Sequence, residues 1–152
     1  IEDLAAAANG KGALDSMHAL CNSVRDAVDY EQSATHAQTT AAQALKLGRG
    51  VCQDHAHIFI AAARARGVPA RYVAGYLMAN GEEQTHAWAE AYVPDLGWVG
   101  FDPANRRCPT DHYVRLCSGL DASDAAPLRG SVQATRAEKL AVAVDIADAA
   151  QQ

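Results

Sequence analysis

Three residues suited to thiol chemistry follow one another along this chain. Cys52 lies in the segment GRGVCQD (residues 48–54), where a glycine-rich turn leads into a long apolar stretch. His86 lies in THAWAE (85–90), and Asp102 lies in WVGFDP (98–103). A thiol followed by an imidazole and a carboxylate is the set needed for a cysteine nucleophile with its base and the group that orients the base.

The local setting of Cys52 favours a reactive thiol. A helix is predicted from about Val51 to Arg66, because Gly67 and Pro69 mark its end. A free thiol has a pKa near 8.5 and is mostly protonated at neutral pH. The unpaired N–H groups and positive dipole end of a helix start favour the thiolate. The glycines before Cys52 would also leave its sulfur accessible to a substrate.

The spacing of His86 and Asp102 predicts a second feature, a hairpin that brings them together. Both lie in segments with the period of two that is typical of strands. If Ala91 opposes Gly97, with a loop over residues 92–96, His86 opposes Asp102 directly on the same face. Asp102 could then accept a hydrogen bond from one ring nitrogen and leave the other facing Cys52.

Each of these residues has a plainer explanation when taken alone. Cys52 would be a buried structural cysteine, His86 a half-exposed strand residue, and Asp102 an ordinary turn residue before proline. Order and local setting together favour the triad. The other cysteines are interpreted as small buried hydrophobic residues with no spacing that requires a disulfide or a zinc ribbon; they are Cys21, Cys108 and Cys117.

The remaining pattern predicts the elements that must position these groups. Residues 1–47 have helical periodicity, with a second short helix over about 39–47. Strands are predicted over 71–78, 85–93, 98–101, 112–120 and 139–146, with a hairpin at Asn80-Gly81 and a polar loop over 118–129. Helices followed by hairpin-linked strands indicate an α+β fold, in which the central helix is buried on an antiparallel sheet.

Composition limits the classes of protein to which this chain can belong. Its 152 residues are 49% hydrophobic and 20% charged, which predicts one folded domain. A net charge of −5 without a basic block argues against nucleic acid or an anionic membrane as partner. The chain has no long apolar run and does not begin like a signal peptide, so a cytoplasmic piece of a longer protein is expected.

A metal site is the rival interpretation of the same region. Cys52, His55 and His57 are close in sequence and, with His86, could supply zinc ligands. On a helix, however, His57 would lie half a turn or more from Cys52, so a shared metal is not expected. Asp54 is instead expected to cap the helix start. The glutamate at 90 is expected either to pair with an arginine such as Arg71 or to be exposed.

Four blocks of this sequence resemble the bacterial transglutaminase-like family of candidate cysteine proteases. They are GRGVCQDHAH (48–57), ARGVPARYVAGY (65–76), HAWAE (86–90) and GWVGFDPAN (97–105). The resemblance extends from about residue 39 to residue 130 and implies a papain-like fold with a Cys-His-Asp triad. It implies that Cys52 is the nucleophile, His86 the general base and acid, and Asp102 the orienting residue.

The resemblance also bears on the oxyanion site and the reaction. Animal transglutaminases use a tryptophan upstream of the cysteine, and this chain has none there. The Cys52 backbone N–H is a natural first donor, Gln43 and Gln53 are candidates for the second, and Trp88 is a candidate for the cleft wall.

We therefore expect a thiol acyl-transfer enzyme that acts on peptide or amide bonds through a thioester. Hydrolysis is expected in preference to cross-linking, and no metal or organic cofactor is implied. A non-catalytic binding module and a zinc-dependent hydrolase are the alternatives. The sequence leaves the identity of the substrate and the oligomeric state open.

Overall fold

The computed structural model describes residues 1–79 and 81–127. Its elements, in chain order, are α1 (Glu2–Ala7), α2 (Ala13–Ala27), β1 (Asp29–Tyr30), α3 (Ala41–Leu47), β2 (Arg49–Gly50), α4 (Cys52–Ala65), β3 (Ala70–Ala79), β4 (Glu82–Val93), β5 (Gly97–Phe101) and β6 (Tyr113–Gly119). The α+β class is confirmed. The strand predicted over 139–146 and the end of the polar loop lie outside the described residues.

The main sheet is antiparallel, with strand order β5-β4-β3-β6, and a short parallel pair joins β1 to β2. Helix α4 lies on one face of the main sheet, where β4 presents small buried side chains at Ala87, Ala89 and Ala91. Small residues let the helix approach closely, so that its Ile58 and Phe59 are fully buried. This packing is the central helix on an antiparallel sheet that the sequence predicts.

The N-terminal region departs from the helical interpretation. Helix α2 ends at Ala27, and the next residue already has extended backbone angles. The chain then forms β1, whose Asp29 and Tyr30 pair in parallel with β2 immediately before α4. The polar stretch DYEQSATHAQTT (29–40) lacks the apolar repeat that a helix needs to bury one face. The consequence is that Tyr30 is brought close to the start of α4.

The hairpin between β4 and β5 has a different register from the predicted one. Ala91 pairs with Val99, and Val93 pairs with Gly97, so the loop is residues 94–96. The loop includes Asp95 at φ 68 and closes on Gly97 at φ 79. These left-handed angles allow a tighter turn than the five-residue loop that the sequence suggested. The predicted pairing of Ala91 with Gly97 is therefore wrong by two residues.

The hairpin between β3 and β4 is confirmed, since Ala79 pairs with Glu82. Further along β3, Gly75 allows a close approach of residues from the two neighbouring strands, β4 and β6. A Cβ atom at Gly75 would lie 2.1 Å from the carbonyl oxygen of Val114 and 2.7 Å from the ring of Trp88. The pairing of β3 with β6 also shifts register at this point. Trp88 thus fits beneath the site only because position 75 lacks a side chain.

Within the part of the chain that the structure describes, every helix is too short or too polar to cross a bilayer.

Candidate active site

The start of α4 is fixed by a buried carboxylate. Asp54, only 1% exposed, accepts hydrogen bonds at Oδ2 from the backbone N–H of Val51 (2.8 Å) and the hydroxyl of Thr35 (2.6 Å). The predicted capping role of Asp54 is confirmed. A Cβ atom at Gly50 would lie 2.6 Å from the same oxygen, so this glycine makes room for the cap. Cys52 is the first residue of the helix and is half-buried.

His86 and Asp102 are hydrogen-bonded across the sheet. His86 Nε2 lies 2.7 Å from Asp102 Oδ2, and their side chains are 7% and 0% exposed. In the observed register Ala89 pairs with Phe101. Continuing this register would place Asp102 opposite Trp88, so His86 and Asp102 are diagonal neighbours and not directly opposite. A slip of two residues leaves side chains on the same face. The expected contact therefore forms despite the wrong register.

The carboxylate of Asp102 accepts further hydrogen bonds that the sequence did not suggest. Asn105 Nδ2 lies 2.7 Å from Oδ2, and the Asn105 backbone N–H lies 3.3 Å from Oδ1. The hydroxyl of Tyr113 donates to Oδ2 over 2.8 Å. Burial raises the pKa of Asp102, but the hydrogen bond and charge of His86, together with the hydrogen bonds from Asn105 and Tyr113, outweigh burial and lower it overall. Asp102 is consequently held ionised.

The imidazole of His86 interacts with both of the other candidate residues. Burial lowers the pKa of His86, but hydrogen bonding to Asp102 and Cys52, together with their negative charges, outweighs burial and raises it to about 9. Since Nε2 is bound to Asp102, Nδ1 is the nitrogen left to face the sulfur. At neutral pH this ring is an imidazolium, which can pair with a Cys52 thiolate.

Two aromatic rings, those of Trp88 and Tyr113, pack against the imidazole of His86. The rings of His86 and Trp88 are stacked, with centroids 6.3 Å apart and planes at 25°. Tyr113 presents its edge to both rings, with centroids 5.8 Å from His86 and 5.5 Å from Trp88. Trp88 is only 2% exposed. It therefore packs against the His86 ring, and it also borders a pocket together with Glu90 and Tyr113.

A cleft of about 320 Å³ opens beside His86. Its walls include Tyr30, Gln32, Gln84 and Asn105. Burial raises the pKa of the Tyr30 phenol, and the charges of Cys52 and Asp102 raise it further, so this side chain lies near the candidate nucleophile. The local sequence pattern contains no signal for Tyr30, because helical periodicity is predicted for its segment.

The two glutamines proposed as oxyanion donors lie in different places. Gln43 forms a capping box with Thr40 at the start of α3, and its Oε1 accepts from the Thr40 backbone at 2.9 Å. It is absent from the cleft walls, so the structure gives it a capping role instead. Gln53 follows Cys52 in α4, and its Nε2 lies 3.4 Å from the carbonyl oxygen of Ala37. Only Gln53 remains adjacent to the sulfur.

The histidines of the rival zinc site are engaged elsewhere. Both ring nitrogens of His55 face backbone carbonyl oxygens, those of Val51 (2.9 Å) and Val28 (3.0 Å). His57 Nε2 accepts a hydrogen bond from the backbone of Ala122 at 3.2 Å. Among residues 1–79 and 81–127, no group of three histidine, cysteine or acidic side chains is arranged to hold a metal ion.

A cluster of charged side chains lies further along β4, on the same face as His86. Glu90 Oε2 lies 2.6 Å from Arg71 Nε, and its Oε1 lies 3.1 Å from Arg115 Nε. The predicted pairing of Glu90 with Arg71 is confirmed. Arg71 also lies over the ring of Trp98 at 4.1 Å from its centroid. This cluster joins three strands of the sheet and is separated from His86 by Trp88.

The remaining cysteines do not share the setting of Cys52. All four cysteines are free thiols. Burial, with the charge of Asp102, raises the pKa of Cys21 to about 12, and burial raises the pKa of Cys108. Cys21 is buried as expected, whereas Cys108 and Cys117 are only partly buried.

Comparison with known proteins identifies the family to which this chain belongs. The profile of the Transglutaminase-like superfamily matches residues 2–103, a range that contains all three candidate residues. The chain belongs to this superfamily. It is 36% identical over 130 residues to an uncharacterized protein from Mycobacterium leprae, an alignment that covers 80% of this chain and 46% of that protein.

Two solved structures share the fold of this chain. A candidate cysteine protease from Cytophaga hutchinsonii superposes with a TM-score of 0.73 at 34% identity, over 82% of this chain and 43% of that one. LapG from Legionella pneumophila superposes with a TM-score of 0.60 at 18% identity, over 80% and 76% of the two chains, which supports the fold alone. This chain spans less than half the length of the mycobacterial relative and of the Cytophaga protein.

Proposed function

We propose that this protein is a thiol-dependent acyl-transfer enzyme that acts on peptide or amide bonds, with Cys52 as nucleophile. One observation carries the proposal: the buried His86 ring interacts with Cys52 on one side and with the ionised Asp102 on the other, and its pKa is about 9. An imidazolium at neutral pH stabilises an adjacent thiolate and is ready to protonate a leaving group.

In the first half of the reaction, the Cys52 thiolate attacks the carbonyl carbon of the amide and forms a tetrahedral oxyanion. The backbone N–H of Cys52, at the free start of α4, is a natural donor to that oxyanion. As the C–N bond breaks, His86 transfers its proton to the departing amine. The products of this half are a thioester on Cys52, a free amine and a neutral imidazole.

In the second half, neutral His86 accepts a proton from an attacking water as the water oxygen bonds to the thioester carbonyl. Collapse of the tetrahedral intermediate breaks the C–S bond, releases the acid and restores the thiolate and imidazolium. Asp102 keeps Nε2 oriented throughout, so that Nδ1 faces the reacting atoms. If an amine replaced water, the same steps would transfer the acyl group instead.

Hydrolysis is the proposed outcome. The structure of the Cytophaga protein, which is 34% identical over 82% of this chain, is described as that of a candidate cysteine protease. The cleft beside His86 supports this choice, because it gives water a route to the proposed base. The substrate is proposed to be a peptide or an amide, because an imidazolium at His86 can protonate the amine, which is a poor leaving group without a proton.

The alternative functions have less support. A non-catalytic module would tolerate loss of a triad member, whereas Cys52, His86 and Asp102 are all present, and both Cys52 and Asp102 raise the pKa of His86. A zinc hydrolase would need His55 or His57 as ligands, and both imidazoles are hydrogen-bonded to backbone groups.

Trapping the thioester tests the proposal. The protein is incubated with a library of peptides and amides, quenched in acid and digested for mass spectrometry. We expect acyl adducts on Cys52 that are absent from Cys52→Ala, while Cys108→Ala, which removes a partly buried thiol elsewhere, retains them. Turnover by a folded Cys52→Ala variant at the wild-type rate would exclude covalent catalysis at this residue.

A further inference from the structure

The hydroxyl of Tyr113 has no role in the chemistry proposed above, although it touches the site. Tyr113 begins β6, at the opposite edge of the sheet from β5, and lies beyond the 2–103 range matched by the superfamily profile. Its hydroxyl donates to Asp102 Oδ2 over 2.8 Å. The edge strand therefore reaches the orienting carboxylate with a single polar atom.

From this contact we infer that Tyr113 is a positioning residue, which fixes Asp102 and through it the base His86. The inference rests on the proposed function.

Three donors share one carboxylate oxygen, and this arrangement restricts how Asp102 can rotate. Oδ2 accepts from His86 Nε2, Asn105 Nδ2 and Tyr113 Oη, all within 2.7–2.8 Å. The backbone of Asp102 is fixed too, because its N–H donates to the carbonyl oxygen of Arg107 over 2.8 Å. Since the carboxylate is fully buried, loss of one donor removes a hydrogen bond that bulk solvent does not already supply.

The ring of Tyr113 and its hydroxyl have separable roles. The ring packs edge-on against both His86 and Trp88. The hydroxyl alone contacts Asp102. A Tyr113→Phe substitution keeps the ring contacts and removes only the donor, so a purely structural role predicts little change in catalysis.

The effect of the hydroxyl on the base has a definite sign. The hydroxyl presents the positive end of its dipole to Oδ2 and draws negative charge away from the bond to His86. Without it, Asp102 stabilises the imidazolium more strongly, and the pKa of His86 rises. A higher pKa leaves less neutral imidazole at neutral pH. Activation of water in the second half of the reaction is therefore slower.

Other titratable groups face the same carboxylate at longer range. The charge of Asp102 raises the pKa of Cys21 on α2 and of Tyr30 on β1. Burial raises the pKa of Tyr113, as do the charge and hydrogen bond of Asp102, while Arg107 and Asn105 oppose the shift. In the described part of the chain, the side-chain donors to Asp102 are His86, Asn105 and Tyr113, so the hydroxyl of Tyr113 and not Cys21 or Tyr30 is the group to remove.

The test uses p-nitrophenyl acetate, an activated acyl donor that acylates a thiolate without needing an acid for its leaving group. The burst of nitrophenolate reports acylation of Cys52, and the steady-state rate reports hydrolysis of the thioester. For Tyr113→Phe we expect an unchanged burst amplitude and a steady-state rate about tenfold lower, the scale of one hydrogen bond to a charged group. The midpoint of the steady-state pH profile should move to higher pH.

The matched control is Tyr92→Phe, which removes a hydroxyl from an exposed tyrosine on β4. Asn105→Ala removes an independent donor to the same oxygen and should slow the steady state in the same way. If Tyr113→Phe matches Tyr92→Phe in rate and pH midpoint while the wild type shows a burst, the positioning role is wrong and the proposed function stands. A wild type with no burst that depends on Cys52 would instead overturn the proposed function.

Discussion

His86 Nε2 and Asp102 Oδ2 are 2.7 Å apart although the two residues are diagonal neighbours on the sheet. This hydrogen bond can form because Asp102 follows the last residue of β5. It lies in a tight turn that is closed by an antiparallel β-bridge between Asp102 and Arg107. The geometry of the base therefore depends on this turn as much as on the strands.

The raised pKa of His86 predicts an unusual pH profile for alkylation of Cys52. Below a pH of about 9 the imidazolium persists and favours the thiolate, so iodoacetamide should label Cys52 at pH 6. An ordinary thiol with a pKa of about 8.5 is less than about 1% ionised at that pH. His86→Ala should lower the rate at pH 6 by roughly tenfold or more and move the profile to higher pH.

Peptide mass spectrometry separates this labelling from that of other thiols. Cys108, whose pKa is raised by burial, serves as the internal reference and should react slowly at pH 6. Equal profiles for Cys52 and Cys108, or labelling of Cys52 only after denaturation, would contradict the ion pair.

The charge of Asp102 is expected to sustain the imidazolium. Asp102→Asn should lower the pKa of His86, because the hydrogen bond and charge of the carboxylate both raise it. We expect turnover to fall by roughly 10⁴-fold, with little change in folding. Titration of His86 by ¹⁵N NMR measures the shift directly.

Asp26→Asn is the control, since that carboxylate is 68% exposed and pairs with Arg106 on the surface. Should the Asp102→Asn variant titrate like the wild type, the carboxylate would have no part in tuning the base.

Gly75 offers a test of the packing behind the site. Gly75→Ala places a methyl group against the backbone of Val114 and the ring of Trp88, at distances where something must move. Thermal and urea unfolding should show a loss of stability of about 1–3 kcal/mol, the usual cost of overpacking. Gly12→Ala, where a Cβ atom meets nothing within 4 Å, is the matched control. A loss no greater than that of Gly12→Ala would show that β3 and β6 adjust freely.

The cluster around Glu90 should contribute more to stability than a surface ion pair. Glu90→Gln leaves Arg71 and Arg115 without their counter-charge. Because the Glu90 side chain is only 12% exposed, the free energy of unfolding should fall by about 1–3 kcal/mol. In Glu31→Gln the broken pair with Arg49 is 51% exposed on both sides, so the expected loss is under about 1 kcal/mol. Similar losses in urea unfolding for the two variants would argue against a special role for the cluster.

Sequence patterns were most informative where the periodicity was long or the turn chemistry specific. Helix α4, with its apolar middle and its Gly67 stop, and the hairpin at Gly81 are close to their predicted positions. The side-chain period of two also explains why His86 and Asp102 meet. A register error of an even number of residues leaves both side chains on the same face.

The features that sequence patterns missed depend on contacts between distant segments. Tyr30 lies in a polar stretch whose short strand forms only by pairing with Gly50 beside α4. Tyr113 is 11 residues from Asp102 along the chain, and only the strand order places β6 next to β3 and brings its hydroxyl to the carboxylate. Neither contact has a local signature, because each is created by the packing of separate elements.

Helix α4 is enclosed by the sheet and the preceding helices, and its inner residues are fully buried. Cys52 therefore cannot shift to suit differently shaped molecules without repacking the protein interior. Changes in the shape of the cleft would therefore come from residues of other elements that border it, such as Tyr30, Gln32 and Gln84. On the proposed function, a chain with other residues at these borders would accept a different substrate, with Cys52 and its helix unchanged.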